Sequence, residues 1–352
     1  MENLFITSIL LQSFDDLNIS YCLRREKNDD WASALRKITY YPIEYSDLYI
    51  NYQLSYQASR GGEWLDYSMI LMFEGNLIGV WPITVAKKDG QYSLTSQGLP
   101  IAPVILRAGV TDSTRKLVYR KVLMFMLNLC SQLNIKELRF SEVLMPDAHV
   151  SEWHRNLMSH GAKCHVFHEL FLDTSQSIDN IVRSLSSNFR RDYRQGLSLW
   201  ETKILCQESK DIDQRFEQFK ALHYKVSGGM TRSDASWETQ KRYIKSGDSI
   251  LAYSTQDDGQ FVGGGLFFLS PHTCLYASGA YDRQLFKTPV SHVIQIKAIE
   301  YFCKKNIPWY RIGRRPFPGD TNEPSTKEIS IGQFKERVAS HVFPSFEFTL
   351  VL

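Results

Sequence analysis

The 352-residue chain carries 41 lysines and arginines against 38 aspartates and glutamates, a formal net charge of +3. A balance this close to neutral excludes binding of nucleic acid through overall charge, so any anion site has to come from a local cluster. With 43% hydrophobic and 22% charged residues, the composition is that of a globular protein, and the length predicts two domains rather than one.

Neither the cysteines nor the first residues indicate an exported protein. The six cysteines are scattered without a CxxC pair, which predicts reduced and mostly buried thiols. Residues 1–11 lack the positive segment of a signal peptide. No run of about 18 apolar residues is present, so no membrane span is expected. The sequence therefore predicts a cytoplasmic protein.

In chain order, the first half opens with two predicted helices, at residues 31–37 and 46–58. A hairpin is predicted next, over residues 69–85, where two apolar strands flank Glu74-Gly75. A glycine at this point supplies the positive φ that a tight turn requires.

A long amphipathic helix closes the first half. Apolar residues recur at helical spacing between Leu117 and Leu133, and Asp112 or Ser113 is expected to cap the first turn. We expect the helix to end at Asn134, because asparagine tolerates the left-handed conformation that often stops a helix.

The second half begins with four predicted helices, at residues 178–186, 189–199, 212–226 and 237–245. A hairpin turning at Asp258-Gly259 and a third strand ending near Ser278 come next. Pro289 then precedes another long helix, and Asn306 opens the strand that follows it.

Both halves contain the same order of elements: a hairpin with an acidic–glycine turn, a third strand, a proline, a long helix and a strand opened by asparagine. Such an order, repeated at about half the chain length, favours an internal duplication. Residues 173–177 interrupt the pattern. We therefore predict two α/β domains, residues 1–175 and 176–352, with mixed, mostly antiparallel sheets flanked by helices.

Several kinds of chemistry have no motif in this sequence. It contains neither a G-x-G-x-x-G after a strand nor a P-loop, and it lacks a G-x-S-x-G nucleophile turn. His165 and His168 lie three apart in a predicted strand, so their side chains point to opposite faces. A zinc site needs convergent ligands, and no metal is predicted.

Two arginine clusters remain as candidate sites. The first, on the predicted helix 189–199, contains Arg190, Arg191 and Arg194, and Arg183 would share its face if the helix runs through. Alternatively, Ser186, Ser187 or Asn188 could cap a second helix start there. The second lies near the C-terminus and contains Arg311, Arg314 and Arg315, followed by Lys327, Lys335 and Arg337. Guanidinium groups pair bidentately with phosphate and carboxylate. The clusters predict binding of a phosphorylated small molecule, a nucleotide-sugar or the end of a nucleic acid.

Six short segments, which follow one another along the second half of the chain, carry a family resemblance. They lie at residues 187–194 (SNFRRDYR), 222–223 (LH), 258–259 (DG), 276–282 (YASGAYD), 310–314 (YRIGR) and 332–337 (GQFKER). In order and spacing they resemble the FemABX-type acyltransferases and the related BioF2-like acetyltransferase-domain proteins over about residues 180–344. The resemblance implies two tandem GNAT-like domains and transfer of an acyl or aminoacyl group to an amine.

The resemblance also implies roles for individual residues. The family's Phe-Lys pair corresponds to Phe334-Lys335, and its basic helix corresponds to the first arginine cluster. We expect Lys335 to stabilise the developing oxyanion or the departing ribose oxygen, and Phe334 to fix the lysine rotamer.

Further candidate residues complete the expected site. Tyr281 and Asp282 are expected to bind substrate together with the arginines. The candidate general bases are His223, His292, Tyr281 and Asp282. The acceptor amine could instead lose its proton to water or to the substrate.

The donor is left open between two classes. Residues 281–289 (YDRQLFKTP) contain no glycine, whereas glycine amides are what hold a pyrophosphate at a helix start. This departure from ordinary GNAT enzymes favours aminoacyl-tRNA as the donor, and acyl-CoA stays possible. Either molecule would act as a co-substrate; no tightly bound cofactor and no DNA are expected.

The sequence thus predicts an N-acyltransferase whose acceptor is a small amine. The acceptor class expected is a phosphate- or nucleotide-linked amino-sugar or peptide precursor of a cell-surface polymer. Two alternatives stay open, a coenzyme A-dependent N-acetyltransferase of a small metabolite or protein, and a catalytically inactive binding module of the same fold.

Overall fold

Alternating apolar strands and capped helices produce an α/β architecture. The computed structural model describes residues 6–9, 19–26, 28–143, 150–285 and 287–352. The N-terminal segment used above to argue against a signal peptide lies largely outside these residues. The six cysteines are all free.

The described helices and strands are numbered here in chain order. The helices are α1 Asn28–Leu35, α2 Asp47–Ala58, α3 Asp112–Leu133, α4 Glu152–Ser159, α5 Ile178–Ser184, α6 Ser187–Leu199, α7 Ile212–Ser227, α8 Asp234–Ser246, α9 Val290–Lys304 and α10 Thr326–Glu336. The strands are β1 Ile19–Leu23, β2 Glu63–Asp66, β3 Met69–Phe73, β4 Asn76–Trp81, β5 Thr84–Lys88, β6 Gln91–Thr95, β7 Ile105–Leu106, β8 Glu137–Val143, β9 Lys163–Asp173, β10 Glu201–Leu205, β11 Ser249–Thr255, β12 Phe261–Leu269, β13 Thr273–Tyr281, β14 Trp309–Arg314 and β15 His341–Val351.

The chain divides into two compact units. The first comprises residues 1–167 and 344–352, and the second comprises residues 168–343. The division falls inside β9 and inside β15, whereas the sequence places its boundary between residues 175 and 176, with all later residues in the second domain.

The first unit contains the sheet β1-β3-β4-β7 and a smaller sheet β2-β5-β6. The predicted hairpin is present as β3 and β4, with Glu74 at φ 49° and Gly75 at φ 75°. The third strand expected after this hairpin is present as β6; it pairs with β5, and the neighbour of β4 is the short β7. The apolar faces of this unit enclose a core that includes Trp81, Phe140 and Trp153.

Helix α3 shows how capping sets its ends. Thr111 is the N-cap, rather than Asp112 or Ser113, because its backbone is extended and its hydroxyl accepts from the Thr114 amide. The predicted end is confirmed, since Asn134 is left-handed with φ 54°. A similar φ of 55° occurs at Asn306, after α9.

The second unit is built on strands in the order β10-β11-β12-β13-β14-β9. All neighbouring pairs are antiparallel except β13 and β14, which are parallel. Helices cover both faces: a side chain at Gly263 would meet Val290 and Ile294 of α9, and one at Gly264 would meet Phe219 of α7. The β11–β12 connection spans residues 256–260, with Gly259 at φ 83°, and is longer than the tight turn expected.

Candidate functional site

Two parallel strands form the centre of the candidate site. Pairing between β13 and β14 joins Thr273 to Trp309 and continues to Leu275 and Arg311. Beyond these residues β13 runs on to Tyr281 with β12 as its partner, and β14 runs on with β9. A bulge in the pairing of β12 with β13 changes the direction of β13 where its pairing with β14 ends. The second halves of the two strands therefore border an opening.

Lys335 lies at this opening. It occupies the last turn of α10, which starts at Ser325 with a capping box to Glu328. The Lys335 Nζ is 5.8 Å from the centroid of the half-buried Tyr276 ring on β13. It is also 2.9 Å from the place where a Cβ on Gly313 of β14 would stand. The ammonium is thus held between the two diverging strands.

Burial lowers the pKa of Lys335, and the carboxylate of Glu169 acts in the opposite direction. Within the described residues Lys335 makes no hydrogen bond, so its three donors can serve a ligand. A desolvated cation with free donors is suited to stabilising negative charge that develops in a reaction.

Phe334 contacts a histidine rather than the opening. Its ring is edge-on to His292 of α9 at 5.4 Å, and His292 packs on Phe189 of α6 at 4.5 Å. This aromatic stack fixes the last turn of α10, and so the direction from which Lys335 extends. The positioning role expected for Phe334 stays a prediction.

The candidate base His292 is enclosed by that stack. Both of its ring nitrogens are buried without a hydrogen-bond partner among the described residues, and Asp192 Oδ2 is 3.8 Å from Nε2. Burial lowers the pKa of His292; Arg337 lowers it further, and Asp192 raises it. The imidazole thus lies between the rings of Phe189 and Phe334.

The other candidate base, His223, contacts an arginine side chain. Burial, with the nearby Arg232 as second cause, lowers the pKa of His223 to about 4. Arg232 Nη1 lies 3.1 Å from His223 Nε2, and the same guanidinium covers the Trp237 ring at 5.1 Å. The imidazole is therefore neutral near pH 7, with its acceptor nitrogen facing a donor.

Tyr281 belongs to a group of hydroxyls beside Lys335. Its hydroxyl is 3.0 Å from that of Tyr276, and Gln295 interacts with Tyr281 and accepts from Tyr310 at 2.7 Å. Burial raises the pKa of Tyr276 and of Tyr281, so both stay protonated near neutral pH. Asp282 has another role, since it accepts a hydrogen bond from Lys225 at 3.0 Å and joins α7 to β13.

The arginines of the second cluster surround a carboxylate that the sequence argument missed. Glu169 of β9 is 3% exposed, and it accepts from Arg311 Nε and Nη2, each at 3.2 Å. Arg314 Nε lies 3.8 Å from the same carboxylate, and its side chain is 41% exposed. Arg315 points elsewhere: it is buried and donates to Glu336 at 2.7 Å. Arg311 and Arg314 are thus brought together, whereas Arg315 is held in the structure.

The first cluster does not converge. Helices α5 and α6 are separate, with an extended Leu185 between them and Ser186 as the α6 cap. The expected alternative, a second helix start capped by Ser186, is therefore confirmed, and the continuous helix that would have put Arg183 on a shared face is not formed. Arg190 Nη1 donates to the carbonyls of Arg183 and Leu185 and closes the end of α5.

The remaining arginines of this helix face solvent. Arg191 is 72% exposed and bonds Asp192 at 3.2 Å, and Arg194 is also exposed. The cluster therefore offers solvated cations around α6, with Arg190 already engaged in holding the helix end.

The fold of this chain matches the folds of known proteins. Residues 183–323 match the family model described as the acetyltransferase (GNAT) domain. FemX matches over 93% of this chain and 96% of its own, with 13% identity and a TM-score of 0.67. No curated protein sequence matches the chain. The chain therefore has a FemX-like fold.

Two further solved structures share the fold of this chain. L-PGS from Bacillus licheniformis covers 77% of this chain and 80% of its own, with 10% identity and a TM-score of 0.51. The C-terminal domain of a putative lysylphosphatidylglycerol synthetase from Agrobacterium fabrum covers 92% and 91%, with 6% identity and a TM-score of 0.54. The residues that match the acetyltransferase (GNAT) domain model all lie in the second unit.

None of the described helices of this chain is both long and apolar enough to cross a membrane. Within the same residues, no three His, Cys, Asp or Glu side chains are grouped so that they could hold a metal ion.

Proposed function

We propose that the second unit transfers an acyl or aminoacyl group to the amine of a small acceptor. The observation that carries the proposal is the position of Lys335, a half-buried cation with free donors at the opening between β13 and β14. Arg311 and Arg314 lie on β14 and supply positive charge for a phosphate on one substrate.

The reaction is an acyl substitution. The neutral acceptor amine attacks the donor carbonyl, a C–N bond forms, and the carbonyl oxygen becomes an oxyanion. The C–O bond of an ester or the C–S bond of a thioester then breaks, and the proton lost by the amine passes to the leaving oxygen or sulfur. Lys335 stabilises the oxyanion or the leaving group, and Tyr281 orients the carbonyl or amine through its hydroxyl.

We favour an aminoacyl ester of tRNA as the donor. The connection from β13 to α9 carries a short 3-10 helix at Arg283–Leu285 and has no glycine, so it lacks the small residues that let a backbone approach a pyrophosphate. Acyl-CoA is the second candidate, supported by the match of residues 183–323 to an acetyltransferase domain.

The acceptor class follows from charge and from the relatives. We propose a phosphate- or nucleotide-linked amino-sugar or peptide precursor of the cell envelope, with Asp282 and the exposed Arg191 and Arg194 as outer contacts. Such substrates and donors place the reaction in the cytoplasm.

The proposal is tested by offering the purified chain two donors, an aminoacyl-tRNA mimic and acetyl-CoA, with a nucleotide-linked amino-sugar or peptide as acceptor. Mass spectrometry of the acceptor detects the transferred group, and a thermal-shift panel detects binding; a ligand at 100 times its Kd stabilises by about 2.7 kcal/mol. Transfer from acetyl-CoA alone would select the second donor. Binding without transfer from either donor would instead indicate an inactive module.

A further inference from the structure

Among the residues that the structure describes, Glu169 is the buried carboxylate that contacts the cations Arg311 and Arg314. It lies on β9 opposite Arg314 of β14, and the next pair in the ladder is Leu170 with Gly313. Since Lys335 Nζ stands against Gly313, the ammonium is adjacent to the strand pair that carries Glu169. Glu169 thus contacts two cations, Arg311 and Arg314, and Lys335 is the third cation at the same strand pair.

We propose that Glu169 is a positioning residue that organises the cations Arg311, Arg314 and Lys335 around the opening. The inference rests on the proposed function, because it assigns Glu169 an effect on the group that stabilises the oxyanion. Its contacts with Arg311 use both carboxylate oxygens, which fixes the plane of the guanidinium. Its charge favours the ammonium form of Lys335 over the neutral amine.

A purely structural ion pair between β9 and β14 is the alternative. A structural pair would hold the strands together whatever the state of Lys335. A positioning residue also changes the protonation of Lys335, and this difference can be measured without any substrate. The groups around the ammonium that enter such a measurement are Glu169, Tyr276, Tyr281, Arg311, Arg314 and the Arg315–Glu336 pair.

The experiment is competitive labelling of the full-length chain with acetic anhydride between pH 6 and 10.5, with each lysine quantified by mass spectrometry. Only the neutral amine reacts, so the rate follows deprotonation. In Glu169→Gln we expect Lys335 to react faster below its midpoint, by about tenfold for a pKa change of one unit. The exposed Lys327 on the same helix is the internal reference and keeps its curve.

A second variant covers the case in which Glu169→Gln does not fold. Arg314→Gln removes a partly exposed cation that shares the carboxylate, so Lys335 becomes easier to protonate and its curve moves to higher pH. Glu169→Asp keeps the charge and restores part of the wild-type curve. Superimposable Lys335 curves in wild type and in whichever of these charge variants fold would overturn the proposal.

The labelling result and the proposed function can fail separately. Retained acyl transfer in Lys335→Met would refute the catalytic role and leave the Glu169 effect on Lys335 measurable. The converse result is loss of transfer in Lys335→Met together with a Lys335 labelling curve that is the same in wild type and in Glu169→Gln. That pair of results would support the proposed function and show that Glu169 has no part in it.

Discussion

Gly313 of β14 and Lys335 of α10 exclude a side chain between them. A Cβ on Gly313 would stand 2.9 Å from the lysine Nζ, and Gly313 itself has φ 118°. The glycine therefore creates the space that the ammonium fills, and its backbone conformation is one that residues with a Cβ rarely adopt.

Gly313→Ala is expected to reduce acyl transfer at least tenfold. The methyl group displaces the flexible end of Lys335 from the opening, and the positive φ adds strain of about 1 kcal/mol or more. The measurement is kcat/KM with thermal unfolding alongside. Gly319→Ala is the matched control, because a Cβ there meets nothing within 4 Å. Equal kcat/KM in both variants would show that the position of the ammonium is unimportant.

Lys335→Met should lower kcat by a factor of about 10²–10³, the usual effect of losing one oxyanion donor. The thermal transition should stay the same or rise, since burial of the ammonium disfavours its charge. Turnover assays and calorimetry test the two parts. Lys327→Met, an exposed change on the same helix, should affect neither; full activity of Lys335→Met would exclude the proposed role.

The pH dependence follows from the direction of the Lys335 shift. The pKa of the folded form is lowered, so activity that needs the ammonium falls as pH rises through this lowered value. Between the folded and unfolded pKa values the unfolded chain binds more protons, so this group makes stability increase with pH. A kcat/KM profile and denaturant unfolding at several pH values give both curves. In Lys335→Met the lysine's contribution to the stability slope should vanish; an unchanged slope would contradict the assigned shift.

His292→Leu should keep acyl transfer within about threefold, because the imidazole, whose pKa is lowered, packs between Phe189 and Phe334 in an apolar contact rather than in a proton-transfer chain. Stability should be unchanged or higher, since the substitution removes buried ring nitrogens that lack hydrogen-bond partners in the described structure. The test is kcat together with urea unfolding. A loss of kcat above 10²-fold without loss of stability would restore His292 as the general base.

Local signals in the sequence were sufficient for much of the fold. The five helices that the sequence predicts in the second unit start within three residues of their predicted positions, as α8 does at Asp234 against the expected 237. The turn at Glu74-Gly75 and the helix end at Asn134 follow directly from residues that accept positive φ. Conversely, α10, which carries Lys335, was not predicted, and the choice of Thr111 as the cap depends on that residue's backbone conformation, which periodicity does not specify.

The sequence by itself determined the class of fold and, through the family resemblance, pointed to the Phe334-Lys335 pair; it also showed the arginines at the end of β14. Only the tertiary structure decided which arginines share a site, because pairing of β9 with β14 places Glu169 beside Arg311 and Arg314. Sequence patterns report which side chains share a face of one element. Contacts between distant segments depend on strand register and helix packing, so Glu169 carried no signal and His292, expected near substrate, lies in an aromatic stack.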